Sequence, residues 1–92
     1  MTELTDDQLA QSFKALADPN RIRILKILLA SDRELTCGEV SDQLNIAIST
    51  VSYHFKILRH AGITNMRKVG HEKLLSINQP VAAQLHLNQI IK

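Results

Sequence analysis

Between Thr36 and Gly62 the chain writes two short helices with about three residues between them, and few architectures accommodate that spacing. Thr36-Cys37-Gly38-Glu39 is a capping box: the threonine hydroxyl accepts from the third amide of the helix while the glutamate reaches back to the cap. Val40 and Leu44 follow as inward positions, and Asn45 suits the left-handed conformation that closes such a helix. The second helix is expected from about Ile48 to Ala61, with Gly62 as its stop. There the period changes. "ITNMRK" and "KLLSIN" have the character of short strands around "VGHE", where Gly70 permits a tight turn. Two helices at this spacing, followed by a β-hairpin, predict a winged helix-turn-helix.

The flanking segments supply further helices. Thr5-Asp6-Asp7-Gln8 is another capping box, followed by Leu9, Phe13 and Leu16 at helical spacing. Asp18-Pro19 is a second start, an acid at the cap and proline in the first turn. Ile22, Ile24, Leu25, Ile27, Leu28 and Leu29 then surround that helix almost completely, which predicts a central buried element. Gln79-Pro80 opens a last helix, with Val81, Leu85 and Ile90 or Ile91 on its apolar side. Leu87 is expected to stand exposed beside them, giving more apolar surface than a small core needs and so pointing to a homodimer. The expected fold is mainly α with a small β-hairpin, in the order α-α-α-α-β-β-α, as a single domain over residues 1–92.

A chain of 92 residues buries only about 60–65% of its unfolded surface, so an internal substrate cavity is not expected. Aromatic residues are 3% of the composition and tryptophan is absent, which makes the core aliphatic. No apolar run reaches membrane-spanning length. The start "MTELTDD" is acidic, unlike a signal peptide, and the lone cysteine allows no intramolecular disulfide. The expected location is cytoplasmic. No nucleophile–base pair, phosphate loop or ligand cluster stands out; Ser49 or Ser52 near His54 has no orienting acid. The chain is therefore expected not to be an enzyme, with no catalytic residue and no cofactor.

Charge is unevenly placed. Residues 1–48 hold five Lys/Arg against eight Asp/Glu, whereas residues 49–92 hold six Lys/Arg against Glu72 alone. Such polarity suits an anionic partner. The helix over "STVSYHFKILRHAGI" sharpens this. With Val51 at the centre of one face, Phe55, Leu58 and Ala61 lie within about 80° of it. Arg59, Ser52, Lys56, Ser49, His60 and Tyr53 fill the outward arc, which carries no acid. An ordinary solvated face mixes glutamate with lysine. Hydroxyls at a helix start suit phosphate oxygens and base edges, and cations farther along suit phosphates.

The expected partner is therefore double-stranded DNA, read in the major groove by Ser49, Thr50, Ser52, Tyr53, Lys56 and Arg59. Arg67, Lys68, His71 and Lys73 around the hairpin tip would reach the neighbouring backbone or minor groove. His54 flanks the core as a packed or capping histidine. Arg21 and Arg23 are expected to bridge acids such as Asp18, with a phosphate contact as the alternative. A winged-helix module that docks a protein is the other reading, and it would want an apolar patch where the acid-free stripe lies.

"FKALADPNRIRILKIL" (Phe13–Leu28), "ELTCGEVSDQL" (Glu34–Leu44) and "STVSYHFKILRHAGI" (Ser49–Ile63) together resemble the ArsR-type bacterial repressors. Val51-Ser52, His54, Leu58 and Ala61-Gly62-Ile63 fall in register with that family's pattern "VSxHLxxLxxAGL". The resemblance implies a homodimeric winged-helix repressor whose first and last helices pair across a two-fold axis. It also implies an effector that releases the protein from its operator, an inverted repeat; the effector itself is not legible here. The family usually places Ser and then Gln where Ala47 and Ile48 stand. An adenine contact from that Gln is therefore missing, and Ser49 is expected to cap a later-starting helix.

Many members of the family bind metal through "ELCVCDL", which here is "ELTCGEV". Thr36 and Gly38 occupy the two cysteine positions, and Cys37 between them points about 100° away. A single thiolate does not make that soft-metal site. His54 and His60 face different sides of one helix, and His86 is the only ligand type beyond Glu72, so no metal site is expected. Cys37 lies in the first turn of a helix, where the dipole favours thiolate, and is either a redox sensor or a small half-buried packing residue.

Overall fold

The computed structural model describes residues 4–91. Helix α1 spans Asp6–Leu16 and α2 spans Pro19–Ala30; a two-residue strand β1, Leu35–Thr36, leads into α3, Cys37–Leu44. Helix α4 spans Ile48–His60, strands β2 (Thr64–Val69) and β3 (Glu72–Ile77) form the hairpin, and α5 (Gln79–Leu85) and α6 (Leu87–Ile90) close the chain. The winged helix-turn-helix expected from the sequence is the fold, with two additions: β1, and a break in the last helix.

Local chemistry sets most boundaries. Thr5 Oγ1 accepts from the Gln8 amide at 3.2 Å while Gln8 Oε1 accepts from the Thr5 amide at 2.9 Å. Asp18 Oδ1 accepts from the amides of Asn20 and Arg21 at 2.8 and 3.3 Å. Desolvation pushes the Asp18 carboxyl up, but these two bonds, with the nearby Arg21 and His54 charges, outweigh it and hold the group below its usual range. Asn45 ends α3 in the left-handed region at φ 56°. Past α4, Gly62 takes φ 81°. Its amide and that of Ile63 bond back to the carbonyls of Arg59 and Leu58, the double closure that a left-handed residue permits.

The sheet is antiparallel in the order β1-β3-β2, with Leu35 opposite Leu75 and Thr64 opposite Ile77. Between β2 and β3, Gly70 takes φ 61° at the first central position of a two-residue turn, as a hairpin twist demands. The core is aliphatic. Ile24 and Leu25 of α2, Val40 of α3, and Val51 and Leu58 of α4 are completely buried together with Ile63, Leu75 and Leu87. Ile22, Ile27 and Leu29 pack partly buried around them, so α2 is the central element its sequence predicts.

Three expectations are corrected. Helix α1 buries the small side chains of Ser12 and Ala15 and leaves Phe13 61% exposed. Small residues let α1 lie close against α2 and α4. In the C-terminal segment His86 adopts φ 56°, which splits the expected helix and re-aims the residues beyond it. Leu87 is consequently fully buried, not exposed, and Ile90 is the residue left 70% exposed. Finally, Arg21 does not bridge the Asp18 carboxylate through its side chain: its Nε donates to the Ala15 carbonyl at 2.6 Å, and Nη1 lies 3.3 Å from His54 Nδ1. Arg23 donates to Asn20 Oδ1 at 3.0 Å, not to an acid.

Candidate nucleic-acid interface

The turn between α3 and α4 is Asn45-Ile46-Ala47. Ser41, buried on α3, holds it from both sides: its hydroxyl donates to the Ile46 carbonyl, and its own carbonyl accepts from the Ile46 amide at 3.3 Å. That clamp fixes the angle at which α4 leaves the turn. Sequence reasoning passed over Ser41 because an isolated serine on a short helix carries no pattern.

Helix α4 then presents the face its sequence predicts. Val51, His54, Phe55 and Leu58 are buried; Ser49, Ser52, Tyr53, Lys56 and His60 are exposed; Thr50 and Arg59 are half-buried. His54 is a packed histidine beside the Arg21 guanidinium, with the Tyr53 ring edge-on to it at 5.1 Å. The expected cap by Ser49 is not made. The helix begins at Ile48 with Ala47 at the cap and no side-chain hydrogen bond there. Ser49 instead sits in the first turn with its hydroxyl outward, and the positive end of the helix dipole is left bare.

The wing lies beside this face. A cleft of about 200 Å³ between α4 and the hairpin is lined by Ser52, Lys56, Arg59, Met66, Lys73 and Cys37, among others. Four of the residues predicted to contact DNA, from two separate segments, therefore meet on one side of α4. Arg59 reaches across, with Nη1 3.7 Å from the Met66 sulfur. Tyr53 is on the other side, where a groove of about 460 Å³ also takes in Lys14, Arg21 and His60. Lys14 and Arg21 enter this surface only through tertiary packing, and nothing in their local sequence announces it.

Within the wing the cations part company. Arg67 is committed to Glu34, its Nε donating to both carboxylate oxygens at 2.8 and 2.9 Å. The guanidinium holds the Glu34 carboxyl below its usual range, and the carboxylate raises Arg67 in turn. This pair ties the hairpin to the segment before β1. Lys68 and Lys73, by contrast, sit directly opposite each other across the ladder, and His71 lies in the turn; all three are exposed. Like charges opposed across a hairpin are unfavourable by themselves, and an anion between or above them removes the penalty.

Cys37 is half-buried at the first position of α3, and Ser52 Oγ donates toward its sulfur at 3.6 Å. The thiol is thus in contact with the outward face of α4. Among the described residues, no group of three or more His, Cys, Asp or Glu side chains is placed to hold a metal ion. Nor is any helix among them long and apolar enough to cross a membrane.

Residues 16–67, which run from the end of α1 into β2, match the model of a helix-turn-helix domain family. Over 76 residues the chain is 49% identical to the HTH-type transcriptional regulator YceK of Bacillus subtilis, covering 82% of this chain and 76% of that one. Its fold superposes with a TM-score of 0.80, at 26% identity, on the homodimeric winged helix-turn-helix DNA-binding domain of a possible ArsR-family regulator from Mycobacterium bovis. That match covers 99% of this chain and 89% of the other. The chain belongs to the ArsR-type family of helix-turn-helix transcriptional regulators. The transcriptional repressor SdpR of Bacillus subtilis is a further relative, 33% identical over 75% of this chain and 74% of its own length. The matched stretch contains the whole of α3 and α4 and ends at Arg67, so Lys68, His71 and Lys73 of the wing fall beyond it.

Proposed function

We propose that this ArsR-type regulator is a homodimeric repressor that binds an inverted-repeat operator. Each α4 lies in the major groove and each wing on the adjacent backbone. The observation that carries this is the face of α4: Ser49, Ser52, Tyr53 and Lys56 exposed, no acid among them, and the helix start uncapped. Phosphates want the cations and the bare amides; base edges want the hydroxyls and the ring. Thr50 and Arg59 contribute from the flanks, and Lys68, His71 and Lys73 from the wing. Arg67 acts mainly by holding the wing in place.

Dimerisation supplies the spacing. The terminal elements leave Phe13 of α1 and Ile90 of α6 exposed, apolar surface suited to a second copy. Two recognition helices would then reach half-sites about 34–36 Å apart on one face of the duplex. The protein acts in the cytoplasm by occupying DNA, with no catalytic step and no metal in its regulation.

Lys56→Ala tests the reading. Affinity for every duplex should fall, and the slope of log Kd against log salt should drop by about 1 for each phosphate no longer neutralised, counted over both subunits. Unchanged affinity for random-sequence DNA would remove Lys56 from the interface. A second reading is favoured by the contact of Cys37 with Ser52: peroxide oxidation of the thiol to a sulfenic acid would displace Ser52 and release the operator. Wild type should then lose operator affinity on peroxide treatment while Cys37→Ser keeps it. Equal responses of the two proteins dismiss the sensor.

A further inference from the structure

We infer that Ile48 reads the 5-methyl group of a thymine in each operator half-site; the inference rests on the groove-binding role of α4. Ile48 is the first residue of α4 and is 55% exposed. Its neighbours on the outward surface are polar: Ser49 follows it, and Ser52 lies one turn on along the same side. The site therefore presents a branched aliphatic group beside two hydroxyls, at the end of the helix that approaches base edges most closely. In the major groove thymine alone among the four bases offers a methyl group.

The surroundings make the contact selective. Ile48 is β-branched, so its side chain is held in few rotamers and loses little freedom on docking. The Ser52 hydroxyl is turned toward Cys37, its proton directed at the sulfur 3.6 Å away, which leaves its lone pairs for a donor on the DNA. Together the two residues suit an A·T pair, whose major-groove edge carries both a methyl group and the adenine amino donor.

The test uses an operator selected from random-sequence duplexes with the full chain. Each thymine is then replaced singly by deoxyuridine, which removes only the methyl group, and Kd is measured at fixed salt for wild type and Ile48→Ala. One position per half-site should cost wild type about fourfold, the size expected for roughly one methyl group withdrawn from water. Ile48→Ala should bind the thymine and deoxyuridine duplexes equally at that position. If no methyl group matters, or if Ile48→Ala keeps the same sensitivity, the contact is refuted while groove binding by α4 stands. If the chain binds no duplex at all, the groove-binding reading itself fails and takes this contact with it.

Discussion

Helices α3 and α4 are neighbours across one short turn, yet their N-termini are opposites. Helix α3 begins with a complete capping box, Thr36 Oγ1 accepting from the Glu39 amide at 3.1 Å and Glu39 Oε1 from the Thr36 amide at 3.0 Å. Arg33 pairs with the same Glu39. Helix α4 begins with alanine at the cap, no acid in its first turn, and exposed Ile48 and Ser49. One helix satisfies its own amides and neutralises its dipole, and its task is to support. The other leaves both open at the place where a phosphate-bearing partner is proposed to dock. A capped helix end serves the fold, whereas a bare one on an acid-free surface is available to a ligand.

The sharpest way to break this contrast is to give α4 the acid that α3 has. Ser49→Glu places a carboxylate in the first turn, where the dipole favours it by about 0.3–1 kcal/mol. The melting temperature should hold or rise, while operator affinity falls on the order of a hundredfold because a carboxylate meets phosphate. If affinity is retained, the bare terminus does not face DNA.

The complementary change removes the cap from α3. Thr36→Ala should cost about 1 kcal/mol in urea unfolding and leave the ranking of operator variants unchanged, since Thr36 supports the reading helix and does not read. A changed base preference would place α3 in the interface.

The smallest effect is one of pH. The Arg33 guanidinium first, and then the Thr36 amide, lower the Glu39 carboxyl from its ordinary 4.5 to about 2. Because the folded value is depressed, the stabilisation is complete above about pH 4.5 and fades as pH falls toward 2. The pair is solvent-exposed, so salt screens it and the contribution is modest. Urea midpoints of Arg33→Ala should fall less steeply than those of wild type over that window; parallel curves would show that the ion pair adds nothing.

The same contrast marks how far the sequence could be followed. Caps and stops are legible because their partners lie within about four residues. Thr36 with Glu39, Asn45 at φ 56° and Gly62 at φ 81° all stand where composition and spacing place them. The outward face of α4 is legible for the same reason, since helical geometry alone sorts Val51 from Ser52. The missing cap at Ala47 and a start near Ile48 were legible too, but not that Ser49 would leave the helix end uncapped. Strand β1 was illegible, because two residues carry no period and it exists only by pairing with Leu74 and Leu75.

What the chain determined unaided is therefore local: where α1 to α5 start, where α3 and α4 stop, the hairpin at Gly70, and which arc of α4 carries hydroxyls and cations. Tertiary structure alone decided that Phe13 faces out and Leu87 in, and that Arg67 is committed to Glu34. It also decided that Lys56, Arg59 and Lys73 share one cleft with Cys37. The reason is reach. A cap or a turn is closed by bonds between near neighbours, and periodicity describes them fully. The partner of Arg67 lies 33 residues away, and whether an apolar side chain is buried depends on what the rest of the chain packs against it. Hydrophobicity names the candidates for the core, but only the assembled neighbours choose among them.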